Sequence, residues 1–246
     1  MNYPYNVQYR FGPKLTAAAK VLIGINIAVY LVLTVDRTSL NTDFGRVDLW
    51  LSLIPFRVWG SGEAWRLLTY MFLHGPPLHL VFNLLMLWMF GSECEGVLGR
   101  RRFVAYYLVT GVGAGLCQMG LAAIMPSIAG VPVMGASGAV YGLLLAYAIF
   151  FPNRWLLLFF AIPVKAKYLV AGCAILELLM TVSNFRDGIA HVAHLGGIVF
   201  GYFMLKRRTF RADLRYHWLR LKAWHYRRKF KVVRKSDRPS PPRYYH

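Results

Sequence analysis

Apolar runs close to 20 residues long constrain this chain more than any other feature of its sequence. A run of that length is what an α-helix needs to cross ~30 Å of hydrocarbon, where every backbone polar group has to be satisfied internally. Six spans are read, at about Thr16–Val35, Leu67–Glu93, Phe103–Pro126, Ser137–Phe151, Tyr168–Val182 and Ile189–Leu205, the fourth and fifth being short. Charges collect between the runs instead of recurring with an amphipathic period. Of 246 residues, 57% are apolar and 16% charged, against roughly 45–50% and 25% in soluble domains. The expectation is an all-α polytopic membrane protein: an N-terminal segment over 1–15, a helical bundle over 16–205 and a basic tail over 206–246.

Lys and Arg placement orients the bundle. Arg10, Lys14 and Lys20 flank the start of the first span, Arg100 to Arg102 follow the second, and Arg154, Lys165 and Lys167 follow the fourth. These mark the cytoplasmic sides, so both termini are expected in the cytoplasm. The first span lacks a small-residue cleavage site and is longer than a signal-peptide core, so it is expected to stay in the mature protein.

The formal charge of +19 comes largely from the tail, which from Lys206 onward holds 15 Lys/Arg and two acids. Beside a membrane span, such a tail suits anionic lipid headgroups. Trp218, Leu221 and Trp224, spaced by three, give it an apolar edge. No nucleic-acid-binding motif accompanies the charge, so nucleic acid is not an expected partner. Cys94, Cys117 and Cys173 have no metal or disulfide spacing and read as small apolar packers. No cofactor or metal is expected.

Polar side chains within spans are costly and call for an explanation. Ser137 lies in Gly135-Ala136-Ser137-Gly138 at the head of the fourth span. Its glycines leave the hydroxyl uncovered and let another backbone approach; a helix contact would use the same string. His194 has Gly197 and Gly201 three and seven residues later, a bare stripe matched by Gly138 and Gly142. Packing of the two stripes would bring the imidazole to the serine hydroxyl, as activation of a nucleophile requires; a histidine bonded across a helix contact is the plainer alternative. His79 and Asn83 are four apart and share a helix face, where they could donate to an oxyanion together with the Ser137 N–H or simply brace each other. Tyr141, one turn past Ser137, could pack on the imidazole.

In combination these strings resemble the rhomboid family of intramembrane serine proteases. The resemblance covers roughly Trp65 to Gly201 and rests on the order of its motifs. These are Trp65-Arg66, His79-x-x-x-Asn83, Glu95 with Leu98-Gly99, Gly135-x-Ser137-Gly138, Tyr141, and Ala193-His194-x-x-Gly197-x-x-x-Gly201. It implies a six-helix rhomboid-like bundle with a membrane-associated first loop, and an endopeptidase that cleaves transmembrane segments of membrane-protein substrates. It further implies Ser137 as nucleophile and His194 as base in a dyad, with His79, Asn83 and the Ser137 backbone as oxyanion donors and Tyr141 stacked on His194. Trp65, Arg66, Glu95 and the four glycines Gly135, Gly138, Gly197 and Gly201 would be structural. Trp50, Leu53, Ile54, Phe56 and Trp59 offer an apolar surface for the first loop.

His191 competes with His194 as base, but it has His194 and Ile198, not glycines, at plus three and plus seven. His74 reads as a rim or structural residue and Asp187 as a residue of the outer loop. Glu177 in the fifth span has no catalytic role in a dyad and reads as a structural hydrogen-bonding acid. Two other classes fit the sequence less well. A catalytically silent helix-binding chaperone or adaptor would not need Ser137, His194, His79 and Asn83 together. A channel or transporter would carry ionisable residues along several spans. Six spans without a seventh favour a bacterial plasma membrane, with the site opening to the extracytoplasmic side.

Overall fold

The computed structural model describes residues 12–40, 45–158, 162–183 and 190–206. Asp187 and the tail with Trp218, Leu221 and Trp224 lie outside the described residues. By its contacts the chain divides into a unit of Met1–Met204, which holds every residue of the candidate site, and a second of Leu205–His246.

The first helix, α1 (Ala17–Leu40), begins at a buried acid. Glu95 accepts the backbone N–H groups of Ala18 (3.0 Å) and Ala19 (2.9 Å) and the Thr16 hydroxyl. A carboxylate there satisfies amides that the helix cannot and meets the positive end of its dipole. The first loop contains α2 (Arg46–Leu51) and α3 (Pro55–Ser61), followed by α4 (Arg66–Thr69) and a 3-10 turn at Tyr70–Phe72. Arg66 is buried, pairs with Glu63 and donates to the carbonyls of Leu49 (2.6 Å) and Ser52 (2.7 Å). Trp65 donates its indole N–H to the Trp50 carbonyl. Trp50, Phe56 and Trp59 are exposed, but Leu53 is fully buried and so is not part of that apolar surface. It exchanges backbone hydrogen bonds with Val133 (2.9 and 2.8 Å), tying the first loop to the segment that leads into Ser137.

The apolar stretch that reads as starting at Leu67 is not one helix. It breaks over 73–76, and α5 (Pro77–Met86) starts afresh with Pro77 at its first turn, where the missing N–H has no intrahelical role. A π-helical turn (Leu87–Gly91) and α6 (Ser92–Leu98) continue it. Gly99, at φ 77°, separates this run from α7 (Arg100–Ile124). Then come α8 (Ser137–Phe150), a hairpin of β1 (Trp155–Leu158) with β2 (Ile162–Lys165), α9 (Ala166–Ser183) and α10 over 191–206. The antiparallel hairpin, Trp155 opposite Lys165, is a small departure from an all-helical reading. Ala17–Thr38, Pro77–Leu98 and Arg100–Ile124 are each long and apolar enough to cross a membrane, and the protein is a mostly helical, multi-pass membrane protein.

The core sits where α8 meets α7 and α10. A Cβ on Gly138 would lie 2.4 Å from the Ala114 Cβ, and one on Gly142 would lie 2.7 Å from the Thr110 Cβ. Toward α10, a Cβ on Gly197 would fall 1.9 Å from the Gly138 carbonyl oxygen. The Tyr70 hydroxyl donates to the Gly111 carbonyl (2.7 Å) and that of Tyr106 to Gly142 (2.8 Å), joining the helices at two heights.

Candidate active site

Ser137 is the first residue of α8, so its backbone N–H belongs to the turn whose amides have no intrahelical partner. The loop before it is held by Gly135 N–H to the Tyr70 carbonyl (2.9 Å). Gly135 adopts φ 133°, and any Cβ there would lie 2.8 Å from the His79 ring, so the imidazole rests directly on the glycine backbone. A side chain at this position would both strain the backbone and displace His79.

Across from Ser137, α10 presents His194. The Ser137 Oγ lies 2.8 Å from His194 Nε2. The Tyr141 ring stacks on the imidazole, centroids 4.4 Å apart and planes within 9°. A hydroxyl within hydrogen-bond reach of an imidazole nitrogen is the arrangement in which a serine can lose its proton as it attacks a carbonyl. The glycine contact between Gly138 and Gly197 sits one residue beyond Ser137 and three beyond His194, so the backbones meet where the two side chains must.

His79 and Asn83 line the same cavity, of about 680 Å³, as Ser137, Tyr141 and His194. Asn83 is buried and donates an amide hydrogen to the His79 carbonyl (2.8 Å). His74 is fully buried, its ring edge-on to that of His79 with centroids 5.2 Å apart. Burial pushes its pKa down to about 3. The loop carrying it is held by Arg37, which pairs with Asp48 and donates to the His74 carbonyl (2.8 Å).

One residue has a place that sequence reasoning did not assign. Glu177 of α9 is buried and touches three of the residues around the site. Its Oε2 accepts from His191 Nδ1 (2.6 Å), its Oε1 accepts the Tyr141 hydroxyl, and Oε1 also lies 3.0 Å from His194 Nδ1. The last contact is close but off the line of the N–H bond, so it does not form a straight hydrogen bond. The signal available in the sequence was an acid at membrane depth. His191, the rival base, is thus engaged by Glu177. Glu177, His191 and His194 also hold ligand-type atoms within 4.8 Å of one another, the donor set of a small cation site, though here these atoms face each other. Trp65, Arg66 and Glu95 do not join the cavity; they lie in the loop and at the head of α1 described above.

A family model described as "Rhomboid domain" matches residues 61–207. The chain is 29% identical over 191 residues to "Rhomboid protease GluP" of Bacillus subtilis (strain 168), covering 74% of this chain and 33% of that protein. It is 27% identical over 211 residues to "Rhomboid protease AarA" of Providencia stuartii, covering 78% and 72%. Against "Rhomboid protease GlpG" of Salmonella choleraesuis (strain SC-B67) the identity is 30% over 162 residues, covering 64% and 53%. The match thus spans a third to under three quarters of these relatives.

Proposed function

We propose, on the premise that the chain belongs to the rhomboid family, that it is an intramembrane serine endopeptidase that cleaves transmembrane segments of other membrane proteins. The relatives named rhomboid proteases support the reaction class. The single observation that carries it to this chain is the 2.8 Å contact between Ser137 Oγ and His194 Nε2 at the edge of a cavity that opens between helices.

In this reading α1, the α5–α6 run, α7, α8, α9 and α10 are the six spans, with both termini cytoplasmic. The 14 residues of α8 measure ~21 Å against ~30 Å of hydrocarbon, so Ser137 sits ~9 Å below the extracytoplasmic surface when the other end of α8 reaches the cytoplasmic one. Water reaches the serine through the loop side, while Trp50, Phe56 and Trp59 of the first loop lie in the interface. The cavity has walls from Phe82 and Met86 of α5 and Cys173 of α9, which supports lateral entry of a substrate helix between those elements. An intact helix hides its amides, so the substrate unwinds locally to present a scissile carbonyl.

Ser137 Oγ attacks that carbonyl as its proton passes to His194 Nε2. The new oxyanion is met by the Ser137 N–H, the side-chain amide of Asn83 and the His79 ring. His194 then protonates the leaving amine, and water hydrolyses the acyl-enzyme by the same route. Tyr141 keeps the imidazole plane fixed, and the basic tail adds attraction to anionic headgroups. The test is reconstitution in liposomes with a single-span substrate. Wild type cleaves it and Ser137→Ala and His194→Ala do not; wild-type turnover in either variant would defeat the reading.

A further inference from the structure

We propose that Glu177 is a positioning residue for His194: its carboxylate lies behind the imidazole, holds the proton on Nδ1, and so keeps Nε2 bare toward Ser137. The inference rests on the serine-hydrolase reading above and extends its two-residue centre to three, the acid coming from α9.

The line of contacts runs from Ser137 Oγ to His194 Nε2 at 2.8 Å and from His194 Nδ1 to Glu177 Oε1 at 3.0 Å. A carboxylate accepts and cannot donate, so the nitrogen facing it is the one that carries hydrogen. That leaves Nε2 as the acceptor the nucleophile needs. The carboxylate is itself fixed: His191 Nδ1 donates to its other oxygen at 2.6 Å, and the Tyr141 hydroxyl donates to Oε1. An acid in a membrane helix is kept only where partners compensate its burial, and among the described residues the hydrogen-bond and ion-pair partners of this carboxylate are the base and two residues whose rings touch it. His191 also makes an edge-on ring contact with His194, centroids 6.3 Å apart, closing the cluster.

During attack the Oγ–C bond forms, the carbonyl pair moves onto oxygen, and the Oγ proton goes to Nε2. The imidazolium is then flanked by the Glu177 carboxylate, which stays ionised throughout. The proton leaves from Nε2 to the departing amine as the C–N bond breaks. Because the Nδ1 contact is off-axis and Tyr141 stacking also orients the ring, Glu177 shares the positioning and does not supply all of it.

The competing use of the same atoms is a cation held by Glu177, His191 and His194. It demands the opposite tautomer, with Nδ1 bare toward the ion and hydrogen on Nε2, which could not accept from Ser137.

Kinetics of variants and the protonation of the wild-type imidazole decide. In the full chain in nanodiscs, Glu177→Gln is expected to lower kcat by on the order of 10²-fold, below the ~10⁴-fold seen when a triad acid with a linear bond becomes an amide. KM stays within about twofold, and phosphonylation of Ser137 by a small fluorophosphonate slows in parallel, a readout a purely structural or substrate-binding role would not produce. Tyr141→Phe, which keeps the ring stack, loses less than about tenfold, since only a partner of the carboxylate is removed. Wild-type kcat in Glu177→Gln, or lost turnover with unchanged phosphonylation, overturns the inference. Should Glu177→Gln fail to fold, ¹⁵N spectra of histidine-labelled wild type decide it: hydrogen on His194 Nδ1 supports the inference and hydrogen on Nε2 overturns it. A wild type that neither cleaves nor labels at Ser137 overturns the hydrolase reading and this inference with it; an active wild type with an unaffected Glu177→Gln overturns this inference alone.

Discussion

Gly197→Ala probes the helix contact on which the site depends. The added methyl would lie 1.9 Å from the Gly138 carbonyl oxygen and 2.8 Å from its carbon, both backbone atoms that no rotamer change can move. A carbon and a carbonyl oxygen tolerate no closer approach than ~3.3 Å, so α10 and α8 must separate locally by ~1.4 Å. The Ser137–His194 contact is 2.8 Å across that same gap. A displacement of this size takes it past the ~3.5 Å limit of a useful hydrogen bond. A misplacement of about 1 Å at a reacting centre is worth about 10²-fold in rate, and overpacking of this kind costs about 1–3 kcal/mol of stability. The assay is kcat on a reconstituted single-span substrate, read beside the unfolding midpoint in detergent. Gly172→Ala is the control, because a Cβ there meets nothing within 4 Å, and it should leave kcat within about threefold of wild type. Gly197→Ala with wild-type kcat would refute the claim that this glycine sets the distance between serine and histidine.

Three further outcomes are expected. Glu95→Ala removes the acceptor for the first amides of α1 and should cost about 1–2 kcal/mol in reversible unfolding, with kcat unchanged below the transition. Arg66→Met strands the carbonyls of Leu49 and Ser52 and removes the partner of the part-buried Glu63 carboxylate, for about 2–3 kcal/mol. His74, held neutral in the fold with its pKa lowered to about 3 from 6.5, binds a proton more readily when unfolded. Stability should therefore be full above pH ~6.5 and fall on acidification toward pH 3, by about 2–3 kcal/mol at pH 4.5; His74→Phe should flatten that slope in unfolding titrations.

The parts of this structure that are local in sequence are the ones that could be read there. Gly135, Ser137, Gly138 and Tyr141 fall within seven residues, and His194, Gly197 and Gly201 within eight, so one helical register relates each set. Pairing the two glycine stripes needed only the rule that small residues let membrane helices approach. The restart of the second span at Pro77 was marked by Gly75-Pro76-Pro77, but the apolar run Leu67–Leu73 hid it, since hydropathy does not separate a 3-10 turn from a span. Leu53 departs from the sequence expectation for a similar reason: an apolar residue in an amphipathic loop can face lipid or core, and its pairing with Val133, 80 positions on, has no local signature. Glu177 shows the same limit at the site. Its contacts to Tyr141, His191 and His194 depend on how α9 lies against α8 and α10. An acid inside a span announces that partners exist without naming them.

The most direct test of the central claim is to treat the reconstituted protein with a fluorophosphonate and locate the adduct by mass spectrometry. The account predicts one covalent phosphonyl group on Ser137 Oγ, formed in step with loss of cleavage and absent in His194→Ala. Inactivation without an adduct on Ser137, or labelling of Ser137 at the same rate without His194, would contradict it.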